Sequence, residues 1–449
     1  MIIENEVLIQ VTDNDLDENF SFTIPEGITK IDDYAFCSCK QIKTIFMLES
    51  IVEIGVSAFD GCYDLEEVRV SENTKRIDMH AFRYCRKLEY VYLPEGLECL
   101  GEGAFFDSGL KEVLVPNSVT QIDSIVFGEC SFLSKVILPE NLITFGEYLF
   151  YSCSSLKEVV LPKNLRELPA FTFQYCRSLE SVFIPDSVMK IGKSAFGRCY
   201  SLKEIVIPYG VKIIERHTFH GCERLVHVSI PNSVEQIETG AFISCKKLKY
   251  INLPEALFSI GNYAFAGCED LMEIKIPDKV DKLRRELFED CESLRIITWK
   301  KKDYSVRCID GDCVYILQEK PFKECTLLKC AYFPEGEHLH AAEKDGCIAE
   351  GKTIREAVDV LNRRLTYKPS MMMQISKIAK HGYVTANDYM ILTGACKEGV
   401  ERFLVEHGFT WKDTMPVEKV FELTKGQYGH LLFGKVVEQI ISLTDTTTR

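Results

Sequence analysis

Cysteine supplies most of the side chains that could do chemistry in this chain of 449 residues, and it does so in two arrangements. The first is Cys308, Cys313, Cys325 and Cys330, a C-x4-C-x11-C-x4-C series with His338 and His340 just behind it. Zinc needs four converging thiolate or imidazole ligands, and paired cysteines can supply them. The x4 gaps lie at the loose end of the usual spacings, and Cys313 and Cys330 fall inside apolar, strand-like runs. Buried thiols are therefore the expectation for all four, with zinc the alternative and no cofactor called. The second arrangement is a single position filled again and again: Cys39, Cys62, Cys85, Cys130, Cys153, Cys176, Cys199, Cys222, Cys245, Cys268 and Cys291. Stacked about 4.8 Å apart, such thiols would line up through a core. That spacing permits some disulfides, but continuous cross-linking would need side chains turned toward each other and an oxidising compartment. Packing as small apolar groups is the expected role. The histidines His217, His220, His227, His381 and His430 stand in no spacing that predicts a base beside a nucleophile, and His217 and His220 read as solvated turn residues.

What positions the cysteines is a repeat. Each lies three residues after a phenylalanine in the series Phe36, Phe59, Phe82, Phe105, Phe127, Phe150, Phe173, Phe196, Phe219, Phe242, Phe265 and Phe288, and every step is 23 residues except the 22 between Phe105 and Phe127. Ser108 stands at the cysteine position in the short repeat, where a tighter turn and a local irregularity are expected. A fixed period of this length marks a solenoid whose units are too small to fold alone. Within a unit, Leu202, Ile205 and Ile207 follow an LxxVxI spacing whose end alternates as a strand does, and Pro208 then removes the donor a longer strand would need. These strands should form one parallel sheet. A second apolar pair, Val188 and Ile191 in the same unit, leads to a glycine or polar turn and the AFxxC segment, which reads as a single helical or 3-10 turn on the opposite side.

With this period, the LxxVxI strands, the IP strand ends and the AFxxC turns, residues 21–299 resemble the BspA-like leucine-rich repeat family of bacterial and protist proteins. The resemblance implies an α/β, right-handed, curved solenoid of twelve repeats, used for recognition and without catalysis. Residues 1–20 are expected to cap its first edge, and Trp299 and Lys300, replacing the aliphatic and the proline, to end it.

Recognition by a solenoid uses the residues its strands turn to solvent. Two outward columns are expected. One runs Tyr92, Leu114, Ile137, Val160, Phe183 and Val206, unbroken and apolar, and the other includes Tyr90, Glu112, Glu158 and Glu204. Together these form the candidate face for a protein or peptide; strand propensity alone would also place β-branched and aromatic residues there. The net charge of −14 argues against a general role on nucleic acid or an anionic membrane. No signal-peptide pattern and no run of eighteen apolar residues is present, so a cytoplasmic recognition scaffold is expected, with a cell-surface or secreted adhesin as the alternative.

After Tyr304 the repeat is lost. Three strand-like segments and a helix from Thr353 to Leu365, carrying Ile354, Ala357, Val358 and Leu361 on one face behind Thr353 as N-cap, suggest a small α+β unit over residues 300–367. Residues 368–442 read as helical and 443–449 as a disordered tail. The stretches AEKDGCIAEGKTIREAVDVL and ILTGACKEGVERFL are similar to a C-terminal module found behind repeat arrays in gut-bacterial and phage proteins. An enzymatic activity in that module, targeted by the solenoid, is the remaining alternative.

Overall fold

The structure is a computed structural model that describes residues 1–37, 39–322, 325–334, 338–345, 347–362, 378, 383–393, 395, 397–407 and 409–424. The helical reading of 369–377 and 425–442, the tail at 443–449, and His381 and His430 lie outside the described residues. The chain divides into one unit of residues 1–316 with 332–336, and a second of 317–331 with 337–449.

The first unit is a β-solenoid. Its LxxVxI segments form short parallel strands in phase, Thr44–Phe46 beside Glu67–Arg69 and Lys135–Ile137 beside Glu158–Val160, so that each residue faces the one 23 positions on. Sequence reasoning expected this one sheet, and the structure has two. In most repeats the second residue of the second apolar pair ends a two-residue strand, and Lys30–Ile31, Glu53–Ile54, Arg76–Ile77, Cys99–Leu100 and Gln121–Ile122 run as a second parallel ladder. The N-terminal strands Ile2–Glu4 and Val7–Gln10 pair as a hairpin, and Val7–Gln10 extends the second ladder by pairing with Lys30–Ile31.

The AFxxC segments are turns rather than helices. Residues two before and two after the phenylalanine recur at positive φ, as at Tyr148 (61°) and Ser152 (62°), or Phe171 (62°) and Tyr175 (65°). A left-handed residue on each side stops a helix from propagating, and a bulky side chain tolerates that backbone only where its surroundings hold it. Only Asp13–Asp15 and Arg285–Phe288 are 3-10 among the described residues.

Behind the turns the twelve phenylalanines are fully buried and stack in a file, with ring centroids from 4.6 Å between Phe36 and Phe59 to 6.0 Å between Phe265 and Phe288. Phe22 closes the file edge-on against Phe36 at 5.5 Å. At the other end Phe333 meets Phe288, Trp299 and Tyr304, and Trp299 donates its indole N–H to the Val280 carbonyl at 2.9 Å.

The cysteine position has a defined task. The Cys199 thiol donates to the Phe173 carbonyl of the preceding repeat at 3.1 Å, while the Cys176 amide donates to the same oxygen at 3.0 Å. Both lone pairs of a buried carbonyl are thereby used, which removes a desolvation cost. The arrangement recurs from Cys62 on Phe36 to Cys291 on Phe265. These ladder thiols are unbridged, and burial holds them well above the ordinary thiol range, Cys130 and Cys268 at about 12.

In the short repeat the Ser108 hydroxyl lies 3.2 Å from the Cys130 sulfur. The missing residue draws the backbone in at Gly109, where a Cβ would come within 2.2 Å of the Arg86 carbonyl oxygen. The first ladder is interrupted here, between Tyr90–Tyr92 and Glu112–Leu114.

Past the repeats, the first of the three expected strand segments is a hairpin, Lys302–Ile309 with Asp312–Phe322, turning at Gly311 (φ 94°). In the second unit Cys325–Tyr332, His338–Lys344 and Cys347–Gly351 are antiparallel neighbours. Residues 354–362 are helical, the Glu356 amide donating to Thr353 Oγ1 at 3.2 Å as the N-cap reading requires. Ala357 and Leu361 pack on Ala342 and Ala349, whereas Ile354 is exposed. The region read as wholly helical also holds an antiparallel strand pair, Tyr383–Thr385 with Thr414–Pro416, between helices Ala386–Thr393, Lys397–Glu406 and Val417–Leu423.

Candidate functional site

The candidate surface is built by the first ladder. In each strand the middle residue points into the core and its two neighbours point out: Ile205 is buried between exposed Glu204 and Val206, and Val113 between exposed Glu112 and Leu114. Because the strands pair in register, the outward positions line up into columns. Tyr90, Tyr92, Leu114, Val160, Phe183 and Val206 are all exposed, Phe183 the most at 77%. Ile137 is only half-buried and contributes less than its neighbours to the open surface. Ser181–Phe183 has no assigned strand, yet Val182 still packs inward against the core and leaves Phe183 outside.

Glu112, Glu158 and Glu204 are exposed beside this column. Lys135 forms an ion pair with Glu158 at 2.9 Å, and that hydrogen bond raises the lysine above its ordinary range. Pairs of this kind recur between adjacent repeats, including Lys30 with Glu53, Lys190 with Glu167 and Lys203 with Glu180. Exposed as they are, each adds little stability.

Toward the C-terminal end of the same ladder the outward residues turn polar, and Tyr250, Asn252, Glu255, Glu273, Lys275 and Thr298 line an open groove of about 390 Å3. Sequence reasoning did not find the groove, because concavity depends on how successive strands splay and no residue type encodes that.

The four zinc candidates fall into two pairs, one in each unit. Cys308 and Cys313 face each other across the hairpin of the first unit, and burial holds the Cys308 thiol at about 12 and Cys313 above the ordinary range, which opposes thiolate ligation. Cys325 and Cys330 lie on one strand of the second unit, where Cys330 faces Leu339 and its neighbours Lys329 and Ala331 face His340 and His338. Among the described residues, no three of His, Cys, Asp or Glu come together as metal ligands.

His217 and His220 lie with ring centroids 5.5 Å apart on the turn side. They were expected to be solvated; instead both are half-buried. Burial, with Arg198 and His217 nearby, lowers His220 to about 4. The ring is therefore neutral at pH 7.

The model of the BspA type leucine rich repeat region matches residues 17–134, 125–249 and 189–328. This chain belongs to that family. Solved structures similar to this BspA-type protein include a leucine-rich repeat protein from Bacteroides ovatus, 26% identical over 65% of this chain and 93% of that one, with a TM-score of 0.43. A leucine-rich repeat protein of T. pallidum is 33% identical over 36% of this chain and 78% of its own (TM-score 0.35). The pneumococcal vaccine antigen PcpA is 23% identical over 64% and 71%, with a TM-score of 0.44. No curated protein matches the chain. Among the described residues, no helix of this BspA-type protein is long and apolar enough to cross a membrane.

Proposed function

We propose that this protein is a non-catalytic recognition scaffold that holds a protein or peptide on the outward face of its first ladder. The observation that carries the reading is the apolar column itself: Tyr92, Leu114, Val160, Phe183 and Val206 are exposed on consecutive or near-consecutive turns. A contiguous apolar strip on an otherwise charged surface lowers solubility unless a partner covers it. Membership of a leucine-rich repeat family supports a binding role for the solenoid.

The test is a double substitution, Phe183→Asp with Leu114→Asp. Both side chains are exposed, so the melting transition should stay within about 0.5 kcal/mol of wild type. Proteins retained by the immobilised wild-type chain should be lost by the variant. Identical captured proteins with both chains would refute this surface.

A further inference from the structure

On the reading that the apolar column binds a polypeptide, we infer that its occupant is a cationic segment in polyproline-II conformation, presenting a basic side chain at every third residue. The argument begins with which outward residues recur and how far apart. Glu112 with Leu114, Glu158 with Val160, and Glu204 with Val206 repeat the same outward pair, carboxylate then aliphatic, on every second turn. The turns between them carry Lys135 and Ser181 at the carboxylate position.

Paired strands lie about 4.8 Å apart, so every second turn advances about 9.6 Å where the ladder is continuous, as from Glu112–Leu114 to Glu158–Val160, and the same stacking distance is taken across Ser181–Phe183. A polyproline-II chain rises about 3.1 Å per residue with three residues per turn, so side chains on one side recur every 9.3 Å or so. The outer pair, Glu112 and Glu204, lies four turns apart, about 19 Å; six polyproline-II residues span about 18.6 Å. A β-strand ligand laid along the same axis would put same-side residues about 6.8 Å apart, so it would miss the step of about 9.6 Å and overshoot the outer pair by about 1 Å over six residues.

Charge sets the sign of the match. Lys135 forms an ion pair with Glu158 at 2.9 Å and also interacts electrostatically with Glu112 opposite it, while neither Glu112 nor Glu204 makes an ion pair of its own among the described residues. A ligand with Lys or Arg at both ends of a six-residue interval would meet these two carboxylates. Its intervening apolar residues, prolines included, would lie on Leu114, Val160, Phe183 and Val206.

The experiment uses the full chain and three labelled, end-capped dodecapeptides read by fluorescence anisotropy. One repeats Lys-Pro-Leu four times, one has the same composition with irregular lysine spacing, and one carries Glu for every Lys. The regular lysine peptide should bind at least tenfold tighter than either control. The double variant Glu112→Gln with Glu204→Gln should lose about tenfold of that affinity and flatten its salt dependence. Equal binding of the two lysine peptides, unchanged binding by the Gln variant, or no binding of any peptide by wild type would overturn the cationic polyproline assignment. The apolar column is judged separately. If the regular peptide binds the Phe183→Asp, Leu114→Asp chain as tightly as wild type, the recognition reading fails, whatever the carboxylates do.

Discussion

The same substitution made ten residues apart gives the sharpest test of the solenoid's energetics. Phe173 is fully buried in the phenylalanine file, 5.5 Å from Phe150 and 5.4 Å from Phe196 with planes within 22°. Phe183, later in the same repeat, is 77% exposed. Replacing Phe173 by Leu keeps most of the apolar burial but removes two aromatic contacts, about 0.5 to 1.5 kcal/mol each. A residual cavity adds roughly half a kcal/mol more. The expected loss is about 1.5 to 3.5 kcal/mol, against at most about 0.5 for Phe183→Leu. In a linear array each turn touches only its neighbours, so the loss should be local. Hydrogen exchange read by mass spectrometry is the suitable assay, since about 1.4 kcal/mol corresponds to a tenfold change in opening. Amides of the turns holding Phe150, Phe173 and Phe196 should exchange roughly 10-fold to 300-fold faster in Phe173→Leu, and those near Phe36 should not change. Equal effects of the two substitutions would refute the stacking argument, and a uniform change along the chain would refute its locality.

Two further outcomes follow from particular side chains. His220 has a folded-state value of about 4, below the ordinary 6.5, so the unfolded chain takes up the proton first as pH falls. The stability that neutral His220 provides is present above pH 6.5 and is lost between 6.5 and 4. Allowing for partial exposure, the loss is about 1 to 2 kcal/mol. Denaturant midpoints of wild type and His220→Gln should converge by that amount over this window, and parallel pH profiles would sink the assignment. At Gly109, an alanine Cβ would sit 2.2 Å from the Arg86 carbonyl oxygen. Gly109→Ala should cost at least about 2 kcal/mol in thermal unfolding, and a neutral result would show that the short repeat relaxes freely.

The scaffold was legible in the sequence because one period fixes it. Phe and Cys mark register twelve and eleven times, and all of these residues lie in the core. The second ladder was not legible, because two residues such as Lys190 and Ile191 are too few to show strand alternation, and only stacking on the next turn makes them a strand. The single turn at each AFxxC segment was legible, but the left-handed residues around each phenylalanine were not, because composition says nothing of them. Tyr383–Thr385 and Thr414–Pro416 escaped for a related reason: each is three residues long, and its partner is distant in the chain. At the candidate face, the alternation in Glu204, Ile205 and Val206 told which side chains point out. The burial of Ile137 and the groove beside Tyr250 depend on how turns lie against one another, which one unit's sequence cannot express.

The bond from each ladder thiol to the phenylalanine carbonyl of the preceding turn makes the turns interchangeable parts. Any turn that offers this carbonyl on one side and this thiol on the other can join the file. The array can therefore lengthen or shorten by whole turns without redesign of its interior, each one moving the outward columns by about 4.8 Å. The length of the outward columns and the identity of their side chains can then vary independently of the fold. The serine and glycine of the short repeat mark what a change by less than a whole turn requires.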